Sequence, residues 1–107
     1  MQSEQEFRRA AEASLDGLKR HLIAREEHEQ AGFEVEEQGG VLNVLFEDPG
    51  ARFVITPNAP VRQIWISALA ASFKLDFDSK REEFILPRTG ETVIALVDRL
   101  IGEHHAP

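Results

Sequence analysis

Residues 33–46 read FEVEEQGGVLNVLF, and the pattern of this stretch decides the fold. Apolar and acidic side chains alternate over Phe33–Glu36, which is the two-residue period of a strand with one buried face. Gln38-Gly39-Gly40 is a tight hairpin turn, and the apolar run Val41–Phe46 is a second strand. Because so short a turn joins only antiparallel strands, the stretch predicts an antiparallel sheet.

The strand pattern continues towards the carboxyl end of the chain. Asp48-Pro49-Gly50 predicts a second turn, Pro57 and Pro60 bracket a loop, and Pro87 ends the last short apolar run. Between these breaks, runs rich in β-branched and aromatic residues indicate three more strands and a short sixth. They are predicted at Arg52–Thr56, Arg62–Ser67, Phe73–Phe77 and Glu83–Leu86.

Helical spacing replaces the strand pattern at both ends of the chain. Near the amino end, an apolar stripe predicts an amphipathic helix from about Glu4 to Ala24 or a little beyond. Ser3 and Glu6 form a capping box at its start, and Gly32 is a stop signal. The stripe consists of Phe7, Ala11, Leu15, Leu18 and Leu22.

A second apolar stripe, near the carboxyl end, predicts the last helix. We expect Thr89 to be its N-cap and Glu91 to lie in its first turn, where the helix dipole favours an anion. His104 and His105 follow the stripe and are expected in a frayed tail. The stripe consists of Val93, Leu96, Val97, Leu100 and Ile101.

The order of these elements predicts an α+β fold, with a helix, five to six consecutive antiparallel strands and a second helix. Both amphipathic helices can bury their stripes together only against one face of the sheet, which gives a two-layer α/β sandwich. The other face is then left to solvent. The length of 107 residues fits a single domain over residues 1–107.

Charge and composition exclude several classes of partner. The formal net charge is −7, which argues against binding nucleic acid or an anionic membrane, since both require a basic patch. The chain has no cysteine, so a metal would have to be held by carboxylate, imidazole, carbonyl or water. No apolar run is long enough to span a bilayer, and residues 1–10 lack the apolar core of a signal peptide. We therefore expect a cytoplasmic protein.

The only tryptophan lies on the polar side of a predicted strand. Ile64 and Ile66 share one face of that strand, whereas Gln63 and Trp65 share the other. An exposed aromatic ring beside an amide is typical of a protein-interaction hot spot. The alternative is that loops of the chain cover the ring, or that it only packs on cross-strand neighbours.

The most specific pattern in the chain spans residues 39–67. It reads Gly39-Gly40-Val41-Leu42-Asn43-Val44, then Val54-Ile55, then Pro60, then Gln63-Ile64-Trp65-Ile66-Ser67. Leu15-Asp16 and Leu18 on the first helix and Arg88–Glu91 before the last helix agree with it. This spacing resembles the frataxin family, in particular its bacterial CyaY type, over nearly the whole chain.

The resemblance implies a small iron-binding protein that acts in iron–sulfur cluster assembly. In the family, ferrous and ferric ions bind weakly along an acidic ridge formed by the first helix and the first strand. The ridge and the exposed sheet face contact the cysteine desulfurase and the scaffold protein, and the family is described both as an iron donor and as a regulator of the desulfurase. We expect a monomer, with an oligomer that forms on iron addition as the alternative.

Seven carboxylates are the metal-ligand candidates that the resemblance implies. Carboxylates suit iron but also other divalent cations, so such a site would be weak and unselective. The alternative is a solvated acidic surface, and Lys19, Arg20 and Arg25 stand where the family's ridge carries more acids. His28 is a further candidate ligand, and His21 is expected on the helix surface. The seven carboxylates are Glu12, Asp16, Glu26, Glu27, Glu29, Glu34 and Glu36.

Three hypotheses about function stay open. The first is an iron donor or regulator of cluster assembly, and the second is an interaction module that regulates the desulfurase without metal. The third is a ferroxidase or iron-storing oligomer, which the few carboxylates of the first helix do not favour. No serine, histidine and carboxylate stand at the spacing of a hydrolytic site, so we expect no enzyme. The partner-binding candidates on the sheet face are Asn43, Asn58, Gln63 and Trp65.

Overall fold

A computed structural model of the chain describes residues 3–27, 31–47 and 50–105. In these ranges a helix is followed by six strands and a second helix, and the 3₁₀ turn Ala59–Val61 joins the third and fourth strands. The helices are α1 (Glu4–Glu26) and α2 (Val93–His105). The strands are β1 (Phe33–Gln38), β2 (Val41–Glu47), β3 (Gly50–Asn58), β4 (Gln63–Ala68), β5 (Ala71–Asp78) and β6 (Glu83–Ile85).

The six strands form one antiparallel sheet in the order in which they follow each other along the chain. Ile66 pairs with Ile55 of β3 on one side and with Phe73 of β5 on the other. Since side chains alternate along a strand, this register places a continuous apolar layer on one face of the sheet. Both helices carry buried residues that join this layer in one core, so the predicted α+β sandwich is confirmed, with six strands.

The core contains the apolar stripes that predict the two helices. In α1 only Leu15 of the stripe is half-buried, and the other four residues are buried. In α2 all five stripe residues are buried. Full burial of a large aliphatic side chain contributes about 1.5–3 kcal/mol, so these stripes fix both helices on the sheet. The fully buried side chains include Phe7, Leu18, Leu22, Phe53, Ile55, Ile64, Ile66, Leu75, Leu96, Leu100 and Ile101.

The start of α1 confirms the predicted capping box. The Glu6 amide donates to the Ser3 hydroxyl at 3.1 Å, and the Ser3 amide donates to the Glu6 carboxylate at 3.3 Å. The helix ends at Glu26, a little beyond the expected Ala24. Gly32, with φ +77°, lies after this end and belongs to the connection that leads into β1.

The loop predicted between Pro57 and Pro60 exists, but its predicted start is wrong, because β3 continues to Asn58. Pro57 pairs with Ile64 of β4, whereas the pairing between β2 and β3 reaches only to Ile55. One edge of β3 is therefore unpaired at this point, and a residue without an amide proton is tolerated there. Strand β4 begins one residue later than predicted, because Arg62 adopts φ +56°.

The predicted N-cap of α2 is also wrong, because Thr92 and not Thr89 caps the helix. The Ala95 amide donates to the Thr92 hydroxyl at 3.1 Å. Thr89 instead forms a local loop in which its hydroxyl accepts from the Glu91 amide at 3.2 Å. Glu91 lies before the helix and pairs with Arg99 at 2.7 Å, and this hydrogen bond lowers the pKa of Glu91. The loop geometry, which the sequence does not specify, decides between the two threonines.

The expected frayed tail at His104 and His105 is wrong as well. Both residues belong to α2, and their ring centroids lie 4.3 and 5.5 Å from that of Phe46. His104 also meets the ring of Phe53 edge-on. These ring contacts hold the last turn of the helix on the sheet, where a free end would fray.

Two hairpins in this sheet have two-residue turns with different chemistry. Gly39-Gly40, between the paired residues Gln38 and Val41, has φ of +59° and +83°. Leu69-Ala70, between Ala68 and Ala71, has φ of +52° and +62°. Glycine adopts such angles freely, whereas other L-residues pay roughly 1–2 kcal/mol each. Of the predicted turn at Asp48-Pro49-Gly50, Asp48 and Pro49 lie outside the described residues.

Candidate functional site

The sheet face opposite the helices carries the only tryptophan. Along β2 to β5, every second side chain points to this face, and all of these are half-buried or exposed. We call it the open face. Its middle row runs from Asn43 through Val54 and Ser67 to Ser72, and it is uncharged.

Trp65 is held in one orientation on the open face by its neighbours. Its indole N–H donates to the side-chain oxygen of Gln63 at 2.8 Å. The Gln63 amide group in turn donates to Asp76 at 2.9 Å. The Lys74 ammonium lies 4.9 Å from the centre of the indole ring, which is the distance of a cation–π contact. The ring is half-buried, so part of its surface faces solvent.

The sequence pattern did not indicate Lys74 and Asp76 as part of this site. They lie directly across the sheet from Trp65 and Gln63. Their alternation in β5 was visible, but the pairing depends on the two-residue turn before β5. Leu69-Ala70 carries none of the usual turn residues, so the sequence alone did not fix that register.

The other partner-binding candidates lie on the same face. Asn58 of β3 pairs with Gln63 of β4, so it lies beside the residues that hold Trp65. Asn43 lies in β2, two strands away from Trp65, opposite Glu36 of β1. The four candidates therefore share one surface, with Gln63 and Trp65 at its centre and Asn43 at its acidic side.

The acidic candidates on α1 differ in their pairing. Asp16 accepts from the Arg20 guanidinium at 3.0 Å, and this hydrogen bond raises the pKa of Arg20. Lys19 binds Glu37 of β1 at 2.7 Å, and this hydrogen bond raises the pKa of Lys19. Glu12 forms no ion pair with another described residue and is exposed. Of the three basic residues that interrupt the ridge, Lys19 and Arg20 therefore pair with carboxylates of α1 and β1.

The remaining candidates lie at the end of α1 and on β1. Glu26 accepts a hydrogen bond from the Val35 amide at 3.0 Å, which ties the helix end to β1. Glu27 caps the helix end, and Glu34 and Glu36 are exposed on the open-face side of β1. Glu29 and His28 lie outside the described residues.

No ready-made metal centre is found in the part of the chain that the structure describes. Across residues 3–27, 31–47 and 50–105, no three Asp, Glu or His side chains converge as they would around one metal ion. The oxygen donors suit iron chemically, but they are spread along the ridge. Such donors fit a weakly held, largely hydrated ion better than an enclosed centre.

His21 lies between the two helices, although the sequence placed it on the helix surface. Its Nε2 atom lies 2.9 and 3.0 Å from the two carboxylate oxygens of Asp98 in α2. Arg25 contacts the same carboxylate at 2.7 Å. These contacts connect α1 to α2, so His21 and Arg25 serve the helix packing.

A groove of about 840 Å³ runs along α1 next to the β1–β2 hairpin. Its apolar lining includes Leu15 and Pro57, and Glu12 lies on its wall. The ion pair between Lys19 and Glu37 lines it as well. The groove therefore shares Glu12 and Asp16 with the ridge. None of the described helices is both long and apolar enough to cross a bilayer.

A family model described as a frataxin-like domain matches residues 1–106. Curated relatives named "iron-sulfur cluster assembly protein CyaY" include one from Janthinobacterium sp. (strain Marseille), which is 26% identical over 101 residues and covers 94% of this chain and 88% of its own. The relative from Azotobacter vinelandii is 27% identical over 89 residues, which are 83% of this chain and 80% of its own.

One solved structure supports the fold. It is the frataxin from Psychromonas ingrahamii, which superposes with a TM-score of 0.73 over 97% of this chain and 92% of its own. The two chains are 19% identical, so this likeness concerns the fold.

Proposed function

Because the chain belongs to the frataxin-like family, we propose that it acts in iron–sulfur cluster assembly in the cytoplasm. In this proposal its open face binds the cysteine desulfurase and the scaffold protein, and its acidic ridge binds Fe²⁺ or Fe³⁺ weakly. The iron is cargo or regulator, and the chain is a monomer without catalytic activity of its own. The names of the curated relatives support the pathway.

The observation that carries the proposal is the fixed tryptophan on the open face. An indole ring held by a hydrogen bond and a cation–π contact loses little conformational entropy when a partner covers it. Tryptophan is also among the residues that most often dominate an interface. The uncharged row beside it can be desolvated at low cost, which suits the centre of a protein–protein contact.

A metal-independent regulator of the desulfurase is the second candidate, and the ion pairs of the ridge favour it. Asp16 and Glu37 already have cationic partners in Arg20 and Lys19. A metal ion would have to compete with these partners. In this reading the remaining acids steer a basic partner surface, which raises the association rate more than the affinity.

We expect the wild-type protein to bind the cognate cysteine desulfurase when metal is chelated, because the proposed contacts come from side chains that are already in place. Isothermal titration calorimetry with and without Fe²⁺ tests this. A change in affinity on adding Fe²⁺ supports iron as regulator, and an unchanged affinity supports the metal-independent candidate. Absence of binding in both conditions contradicts the proposed function.

Iron binding is expected to respond to the cations of the ridge. A Lys19→Gln/Arg20→Gln variant frees Glu37 and Asp16, and should bind Fe²⁺ or Mn²⁺ about two- to fivefold more tightly, since exposed ion pairs are worth 1 kcal/mol or less. The measurement is paramagnetic broadening of the backbone NMR signals of Glu12, Asp16 and Glu34.

An Arg99→Gln variant is the control for this measurement, because it removes a cation from the other helix. It should leave metal affinity unchanged. Broadening confined to His104 and His105 would contradict the ridge as the iron site. Oxygen consumption in proportion to added iron, with assembly seen by light scattering, would instead favour the ferroxidase or iron-storing oligomer.

A further inference from the structure

The tip of the β4–β5 hairpin exposes apolar side chains in a strained backbone. Leu69 is 40% exposed, one of three large apolar residues that are clearly exposed in the described ranges, and Ala70 and Ala71 are exposed beside it. Leu69 and Ala70 both have positive φ, which the type I′ form of a two-residue hairpin turn requires. Asn-Gly or Gly-Gly is the usual solution for such a turn.

The same sheet contains the usual solution in the two-residue turn between β1 and β2. Gly39-Gly40 adopts the same signs of φ without strain, and both residues are exposed. The fold therefore does not need an apolar pair to make such a turn. Strained residues persist where the surrounding structure holds them and often serve a function, so the apolar tip calls for an explanation outside the fold.

The composition of the hairpin itself points to an apolar contact. From Gln63 to Phe73 the chain carries no charged residue, although its net charge is −7. The tip also continues the strand that carries Trp65. Leu69 lies four positions after Trp65, which is about 13 Å along an extended chain, and an ordinary interface patch of about 800 Å² per partner covers both.

We infer that the Leu69-Ala70 tip is a second contact for the protein that docks on the open face, and that Leu69 inserts into an apolar pocket of that partner. The inference rests on the proposed function, because it assigns the tip to the same partner as Trp65. Rigidity suits this role, since a two-residue turn presents its side chains with little freedom to lose on binding. A lipid surface fits less well, because the chain is acidic and the tip offers one large apolar side chain.

The decisive variant is Leu69→Asn/Ala70→Gly, which gives this hairpin the preferred turn chemistry. Its melting temperature should rise by about 4 °C, because the strain in the turn is relieved. Its affinity for the cognate cysteine desulfurase with its scaffold protein should nevertheless fall about tenfold, measured by calorimetry. More stability together with weaker binding distinguishes a contact residue from a structural one.

Two further variants separate the effect of the turn chemistry from that of the leucine side chain. Gly39→Asn applies the same turn chemistry to the β1–β2 hairpin and should leave the affinity unchanged. Leu69→Ala keeps the backbone strain and removes only the large side chain, so it should weaken binding without raising stability. If the double variant is less stable than the wild type, the affinity of Leu69→Ala decides whether the leucine side chain contacts the partner.

The outcomes separate this inference from the function on which it rests. Binding that Trp65→Ala weakens and both tip variants retain overturns the inference and leaves the proposed function intact. If the wild type does not bind, both are overturned. A concentration-dependent dimer, or binding to anionic lipid vesicles, that only the tip variants lose would assign the tip to another occupant and overturn the inference too.

Discussion

Replacing Trp65 with alanine is expected to weaken binding to the cysteine desulfurase and its scaffold protein about 30-fold or more, the effect of a strong interface hot spot. The ring is the largest side chain on the open face, and it is held between Gln63 and Lys74. Its removal takes away the contact area and also leaves Gln63 without its indole donor. We therefore expect the loss mainly as faster dissociation, measured by surface plasmon resonance.

The stability of this variant should fall less than that of a variant truncated in the core, which separates recognition from folding. Trp65 is half-buried and takes no part in the core between the sheet and the helices. The lost hydrogen bond and cation–π contact should together cost about 1–2.5 kcal/mol. Trp65→Phe, which keeps a ring but loses the N–H donor, should bind with intermediate affinity.

An Arg99→Ala variant on α2 serves as the control, because it lies away from the open face and should bind like the wild type. Full binding by Trp65→Ala, in a folded protein, would show that the open face is not the partner surface. Equal losses in both variants would point to a general effect on folding.

The face on which Trp65 lies could be predicted because a strand has a simple period. Two isoleucines flank the tryptophan, and their burial in the core forces Trp65 to the opposite side. Lys74 and Asp76, which lie opposite Trp65 and Gln63 in β5, could not be predicted in the same way. Their register depends on a turn made of leucine and alanine, which no turn preference identifies. The local pattern therefore gave the face but not the full cluster around the ring.

The acidic ridge was less predictable than the sheet face. Exposed carboxylates show no period that tells a ligand from a solvated charge. The pairing of Lys19 with Glu37 joins residues 18 positions apart, and that of His21 with Asp98 joins residues 77 positions apart. Such pairs follow from how the helices cross the sheet, which the spacing within one helix does not determine.

The start of α1 could be predicted from neighbouring residues, whereas the start of α2 depends on contacts within the loop before it. The Ser3 capping box was predicted because both of its hydrogen bonds lie within four consecutive residues. The cap of α2 was not, because Thr89 and Thr92 both have the right chemistry. The backbone amide of Leu86 donates to the Glu91 carbonyl at 2.8 Å, and this loop contact places Thr92 at the start of the helix.

Replacing Ile66 with alanine is expected to lower stability strongly and partner binding little, which is the opposite of what we expect for Trp65→Ala. Ile66 is fully buried, and it lies between Ile55 and Phe73 in the centre of the sheet. Truncation of such a side chain typically costs about 2–5 kcal/mol, from lost burial and from the cavity left behind. Domains of this size have a total stability of about 5–15 kcal/mol, so the variant should be folded but marginal. Urea unfolding, followed by circular dichroism, measures the loss.

The comparison of Ile66→Ala with Trp65→Ala tests the two-layer architecture itself, because the two residues are neighbours in one strand. If β4 has one face in the core and one face for recognition, Ile66→Ala should lower stability and, at temperatures where it is folded, bind the partner nearly as well as the wild type. A loss of less than about 1 kcal/mol would mean that Ile66 is not in a closely packed core. Strong destabilisation by both variants would mean that the tryptophan is part of the fold and not free to serve a partner.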